Sequence, residues 1–383
     1  MKEKIINWKP LLHSAKVTDL QFLFIYIRDD PGYVVEQLFD RVLVRVSGSE
    51  ALTFLQGLVT NDMDHLNEDD SKRTTNLDAN SNENMKESFS DEEKNLALLR
   101  HSIYAMFLNN SGRIMFDVII IHLSNEKFLI DCNIESAPKL IKHLKMYRVR
   151  KKIDISLDDT SKVWSIFSNK LLPINELNHR TMAEDFIGLG LGSNGIISTA
   201  DPRNKQLGFR VFVLDENSAN GNKLATLKRG SENQYKMLRY KLGVSECPSE
   251  LVTGKALPLE SNADYLHGIS FHKGCYIGQE LTARTHHTGV IRKRIMALNF
   301  ISNYSDIVHG TGLNLENLVT GKSVGKLMGH LNGYGLGLVR VKESIDARNN
   351  KESIVISENK SIEVEVVRPE WWPAISPNKV PDK

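Results

Sequence analysis

Beyond Arg294 the chain breaks into short alternating apolar runs, Ile295 to Phe300, Ser323 to Met328, Tyr334 to Val341 and Ile362 to Val367, set apart by glycines. Alternation sends successive side chains to opposite faces, so each run can bury one face only. Short runs of this kind, with turn signals between them, are satisfied by closing on one another as a small antiparallel barrel. A boundary near residues 289 to 295 follows, which divides the chain into a body at 41–290 and a barrel unit at 291–375.

The body mixes periodicities. Val42, Val44 and Val46 alternate as a strand, and Ser47-Gly48-Ser49-Glu50 offers a capping-box start to a helix. Its apolar face is Ala51, Phe54, Leu55 and Leu58, and Thr60-Asn61-Asp62 ends it in groups able to bond a ligand or cap a turn. Ile103 to Leu108 and Ile114 to Leu123, joined by Asn109-Asn110-Ser111-Gly112, predict a hairpin, with Lys127 to Cys132 as a third strand. Leu140, Ile141, Leu144 and Tyr147 then recur at helical spacing, with Lys139, Lys142, Lys145 and Arg148 on the outer face. Strands are expected at Val163 to Phe167 and Leu207 to Leu214, and a helix through Tyr235, Leu238 and Leu242. The class is α+β.

Two stretches stand apart. Asn67 to Asn95 holds nine acidic and four basic residues but only Leu77, Met85 and Phe89 as large apolar groups, so it cannot repay its ordering entropy and reads as a disordered insertion. Residues 1–40 carry Lys2, Lys4, Lys9 and Lys16 against Glu3 and Asp19. They fit equally a targeting segment and an ordinary extension packing Phe22, Phe24 and Tyr26 as a short strand.

Charge and cysteine content exclude several classes. The 383 residues suit two or three domains, and 49 basic against 47 acidic groups leave a net charge of +2, so bulk charge implies neither a nucleic acid nor an acidic membrane as partner. No run approaches the ~18 apolar residues of a membrane-spanning helix; Leu20 to Ile27 is closed by Arg28-Asp29-Asp30. Cys132, Cys247 and Cys275 are too few and too scattered for a disulfide scaffold, and the compartment is expected to be reducing. Gly321-Lys322-Ser323 lacks the glycine of a phosphate loop five residues earlier, where Glu316 stands, and Gly333, Gly335 and Gly337 lie in a strand pattern that suits close backbone packing.

The chemistry concentrates between Phe271 and Ile295, where five Lys or Arg face one Glu. Cys275 lies two residues from Lys273, and Gly278-Gln279-Glu280 opens a helix through Arg284. Cationic neighbours and helix amides favour thiolate, which makes Cys275 the most nucleophilic or metal-competent of the three cysteines. The bland alternative is that the glycines permit a tight turn around a small apolar residue. His272, Cys275, His286 and His287 could also ligate a metal, though their spacing fits no compact zinc signature.

The run Lys273-Gly274-Cys275-Tyr276-Ile277-Gly278-Gln279-Glu280 resembles the signature of the folate-binding YgfZ family, related to the aminomethyltransferase (T-protein) of the glycine cleavage system. The continuation through Arg284 and His287 to Arg294, and Glu370-Trp371-Trp372-Pro373, are similar to its mitochondrial iron-sulfur cluster assembly branch. Gly57 to Asp62, Met237-Leu238-Arg239 and Leu257 to Asn262 also resemble family segments, so the likeness spans about residues 41–375. It implies a three-lobed fold, two α+β lobes around a central tetrahydrofolate channel plus a carboxyl-terminal antiparallel barrel. It also implies a protein of the mitochondrial matrix that supports maturation of four-iron four-sulfur proteins without turnover of its own.

In that reading Cys275 is the functional thiol, open to transient contact with an iron-sulfur cluster and assisted by Lys273 and Gln279. Asn61, Asp117, Arg239 and Glu260 line the folate site. The implied partners are A-type cluster carriers of the mitochondrion and apo four-iron enzymes such as aconitase. Two rivals remain. One is a folate-dependent aminomethyl transferase of the T-protein type. Against it, Phe116 stands where T-proteins resemble one of two adjacent carboxylates, and no counterpart of a folate-anchoring glutamate is found near Arg203 to Arg210. The other is a scaffold whose basic helix at Lys139 to Arg148 docks an acidic partner.

Overall fold

The computed structural model describes residues 33–66, 102–124, 126–168, 170–171, 196–214, 232–302, 304–307 and 312–373. The two readings of the first residues, through Phe22 to Tyr26, and the insertion read at Asn67 to Asn95 lie outside them.

Two sheets form the body. In the first, β1 (Tyr33–Gln37) pairs antiparallel with β7 (Lys162–Ser168), followed by β9 (Phe209–Val213) and β8 (Ile196–Ala200). The stretch read as an amino-terminal extension therefore contributes a strand from Tyr33 onward. The second sheet runs β3 (Ser102–Leu108), β4 (Ile114–Ser124), β5 (Lys127–Asn133), β2 (Arg41–Ser47) and β6 (Asp154–Asp158). Its hairpin turn is tied by the Asn109 side-chain carbonyl, which accepts from the amides of Ser111 and Arg113.

Alternation in the five-stranded sheet sorts its side chains into two cores. Val42, Val44, Val46, Phe116, Val118 and Ile120 pack with α1 (Ala51–Gln56) and α2 (Ala137–Arg148), which supply Phe54, Leu55, Leu140 and Leu144. Leu43, Tyr104, Met106, Ile119 and Leu129 face the other way, into a core shared with Phe212, α3 (Gln234–Leu242) and Ile295 and Leu336 of the barrel. Each large apolar side chain so buried contributes about 1.5–3 kcal/mol.

Three local expectations are corrected. The capping box does not form: Glu50 is the N-cap residue with no side-chain cap bond, and its carboxylate instead accepts from Lys151 Nζ and the Lys152 amide. The helix ends at Gln56, so Leu58 is buried beyond it and Thr60-Asn61-Asp62 sits in the following loop. Leu207 belongs to a single 3-10 turn, and its strand starts at Phe209.

The carboxyl-terminal unit is a closed barrel in the order β10 (Lys293–Phe300), β13 (Tyr334–Arg340), β12 (Ser323–Leu331), β11 (Asn314–Asn317), β14 (Ile354–Ile356) and β15 (Asn359–Val367). β11 and β14 are too short to show an alternation, and α5 (Val341–Asn350) was not foreseen. At Gly335 a Cβ would come within 2.8 Å of the Gly329 carbonyl and 3.0 Å of the Phe300 ring, so close packing explains the glycine.

Candidate functional site: an anchored cysteine loop

The loop from His272 to Ile277 leads into α4 (Gln279–Thr288), and its shape is set from below. Gly278 has φ +79°, and a Cβ there would run into the Asn109 carbonyl and stand 2.8 Å from Leu108 Cβ. Only glycine allows the helix to start so close to the β3–β4 turn. The buried Lys273, 7% exposed, turns its ammonium inward and donates to the carbonyls of Gln56 (2.8 Å), Val59 (2.7 Å) and Asn61 (2.7 Å). It thus caps the carboxyl end of α1 and the loop after it, where the helix dipole favours a cation. Burial pushes its pKa down to about 8, opposed by Asp62 and Asp64. Tyr276 lies buried beneath, its ring centroid 5.1 Å from the ammonium, and burial raises its phenol to about 12.

Cys275 is exposed on top of this anchor, and nothing surrounds the Cβ position of Gly274 within 4 Å. Lys273 is corrected from a catalytic group to a positioning residue: its three protons are committed to carbonyls. Gln279 is half-buried at the first turn of α4, and Glu280 and Arg284 are exposed. The other thiols are closed off. Burial raises Cys132 to about 12, and Cys247 is pushed well up by burial and by Asp117. His286 stacks on Phe271 at 3.6 Å and meets His287 edge-on. Among the described residues no group of three His, Cys, Asp or Glu side chains is placed to hold a metal ion.

Of the four residues expected around folate, three are buried and bonded to internal partners. Asn61 is a clamp: its amide donates to the carbonyls of Tyr104 (2.8 Å) and His267 (2.7 Å), and its oxygen accepts from the Asp62 amide. Asp117 is 3% exposed and accepts from the Cys247 amide at 2.8 Å and the Tyr104 hydroxyl at 3.4 Å. Arg239, also 3% exposed, donates to Glu250 (2.9 Å) and to the Val244 carbonyl (3.1 Å). These three are spent on internal partners and do not fit a pterin edge or a glutamate tail. Glu260 alone faces open space, in a cleft beside α4.

Asp117 and Arg239 belong to an ionic cluster between the two sheets that sequence reasoning missed. Arg203 grips Asp201 with two bonds (2.9 and 2.7 Å) and donates to Glu246 (2.6 Å) and the Tyr235 hydroxyl (2.7 Å). Arg41 donates to Asp131 (2.7 Å), and Arg210 donates to Tyr235 (2.8 Å). Burial alone would raise Glu246, but Arg239, Arg203, Arg41 and Arg210 hold its pKa well below the carboxylate range. One signal was legible: Asp131 interrupts the apolar run Phe128 to Cys132, and a charge within a buried strand needs a partner.

Adjacent strand residues face opposite ways, so Phe116 packs against Phe107 and His143 on the helix side while Asp117 faces the ionic cluster. Asp117 is raised by burial first, with Arg41 opposing and Glu246 adding to the rise.

Comparison with known proteins agrees with this architecture. Residues 292–374 match the family described as CAF17, C-terminal beta-barrel domain. The chain is 32% identical over 351 residues to the mouse (Mus musculus) "Iron-sulfur cluster assembly factor IBA57, mitochondrial", covering 90% of this chain and 87% of that protein. It is 32% identical over 354 residues to the Homo sapiens protein of the same name, covering 89% and 85%. Among solved structures, aminomethyltransferase T of the glycine cleavage system from Bartonella henselae superposes with a TM-score of 0.59 at 14% identity, covering 92% of this chain and 89% of that one, a likeness of fold.

Proposed function

Since the chain belongs to the IBA57 family of mitochondrial iron-sulfur cluster assembly factors, we infer that it supports cluster maturation by presenting the Cys275 thiol to a cluster in transit. One observation carries the reading: of three thiols, only Cys275 is exposed, on a loop that Lys273 fixes from beneath. Thiolate sulfur is a soft ligand suited to cluster iron, and ligation releases one proton to the surrounding water. The cluster is cargo, brought by an A-type carrier and destined for apo four-iron enzymes such as aconitase. Lys273, Gly278 and Gln279 set the loop and the helix start, and Arg284 and Glu280 offer charge at its rim. Cells carrying only Cys275→Ser should lose aconitase activity while Cys132→Ser and Cys247→Ser cells keep it; normal activity with Cys275→Ser overturns the assignment.

Tetrahydrofolate is proposed as a ligand on the strength of the family resemblance, and no step is routed through Asn61, Asp117 or Arg239. Calorimetry should register heat with tetrahydrofolate, and none at millimolar concentration removes the claim. Aminomethyl transfer is not supported, because it needs a carboxylate that can reach the folate nitrogens. Asp117 is closed in by Cys247 and Tyr104. The chain should form no methylenetetrahydrofolate from aminomethyl-lipoyl protein.

A further inference from the structure

A cleft of about 510 Å³ opens where α4 meets the rim of the barrel, floored by the Leu257 to Glu260 segment and closed by Val290 to Lys293. That volume is within the usual range for a small-ligand site. Its walls are apolar at Leu257, Leu281 and Ile291, but three cations, Arg292, Lys293 and Arg340, converge on it against the single carboxylate Glu260.

The barrel register sharpens the imbalance. Lys293 lies directly opposite Arg340 across β10 and β13. Like charges in that position repel unless something negative comes between them. The nearest carboxylate to Arg340, Glu343, is 4.0 Å away and half-buried on the helix that follows. Glu260 is raised by burial, with Lys293 and Arg113 drawing it back, so it offsets one charge at most. An independent mark is Thr282 of α4, which lines the same cleft, is 2% exposed, and has no hydrogen-bond partner for its hydroxyl. A buried hydroxyl left unbonded is a cost that a ligand can remove.

We propose that this cleft binds an organic anion, a carboxylate or phosphate carried on an apolar body, with the head between Lys293 and Arg340 and the body against Leu281 and Ile291. The inference rests neither on the Cys275 reading nor on folate binding. Bound there, the ligand would lie against the helix that follows the cysteine loop and so link that loop to the barrel.

The test is calorimetric titration of the full chain with 1-naphthyl phosphate and 1-naphthoate, with 1-naphthol and inorganic phosphate as controls. At least one naphthyl anion should bind ten times more tightly than either control, and the tighter one assigns the head group. Lys293→Gln and Arg340→Gln should each weaken it at least fivefold. Thr282→Val should weaken it roughly twofold to tenfold, the range of one hydrogen bond. Unchanged thermal midpoints of the unliganded variants show that they fold. Equal binding of 1-naphthol, binding of inorganic phosphate alone as tightly, no binding of either anion, or variants that bind as the parent does would overturn the proposal.

Discussion

Replacing Lys273 by Met tests the anchor beneath the cysteine loop. The ammonium donates to three carbonyls, those of Gln56, Val59 and Asn61. Met fills much of the same space but leaves all three oxygens without that donor. At the lower end of about 1.5–3 kcal/mol for each bond to a charged group, the loss is about 5 kcal/mol. Against it stands the relief of a buried charge. The drop in pKa from 10.5 to about 8 corresponds to about 3.5 kcal/mol at ~1.4 kcal/mol per unit. The net loss at pH 7 is then about 1.5 kcal/mol, read as a lower urea midpoint.

The pH dependence gives a second, independent reading. Between about 8 and 10.5 the unfolded lysine is protonated and the folded one is not, so the unfolded state binds more protons and the parent gains stability as pH rises. Below pH 8 both are protonated and this contribution is absent. The Met variant lacks the rise, so its deficit should be larger at pH 10 than at pH 7. A deficit under about 0.5 kcal/mol at pH 7 would refute the anchoring role, and one that does not grow with pH would refute the lowered pKa.

Three further outcomes are expected. In the native protein an aromatic disulfide reagent should modify one thiol quickly, and Cys275→Ser should abolish that phase, since Cys132 and Cys247 are buried. Glu246→Gln should cost about 3–5 kcal/mol by leaving four guanidiniums short of a counter-charge; because the folded pKa of Glu246 is depressed, its contribution is full above about 4.5 and fades as pH falls, so urea midpoints of parent and variant should converge in acid. Glu36→Ala should cost about 1–2 kcal/mol in urea unfolding, because the Glu36 carboxylate accepts from the amides of Asn233 (2.8 Å) and Tyr235 (2.7 Å) at the start of α3.

Periodicity by itself carried the body strands from Val42 to Cys132, the helices over Leu140 and Leu238, and the barrel, because which face a residue takes is a local property of spacing, while the helix opening at Gly278 was read from its glycine. The exposed loop position of Cys275 agrees with the glycines read on both sides of it. Local spacing could not say where a long side chain ends. Lys273 was read beside the thiol and proves to be spent on carbonyls more than 200 residues earlier in the chain. Phe116 and Asp117 are neighbours in sequence and occupy opposite sides of a sheet. Arg239 read as a cation awaiting a ligand until Glu250 and Glu246 closed around it. Tertiary structure alone decided these points, since a buried charge takes the partner that folding brings within reach, and nothing in the spacing along the chain records which partner that will be.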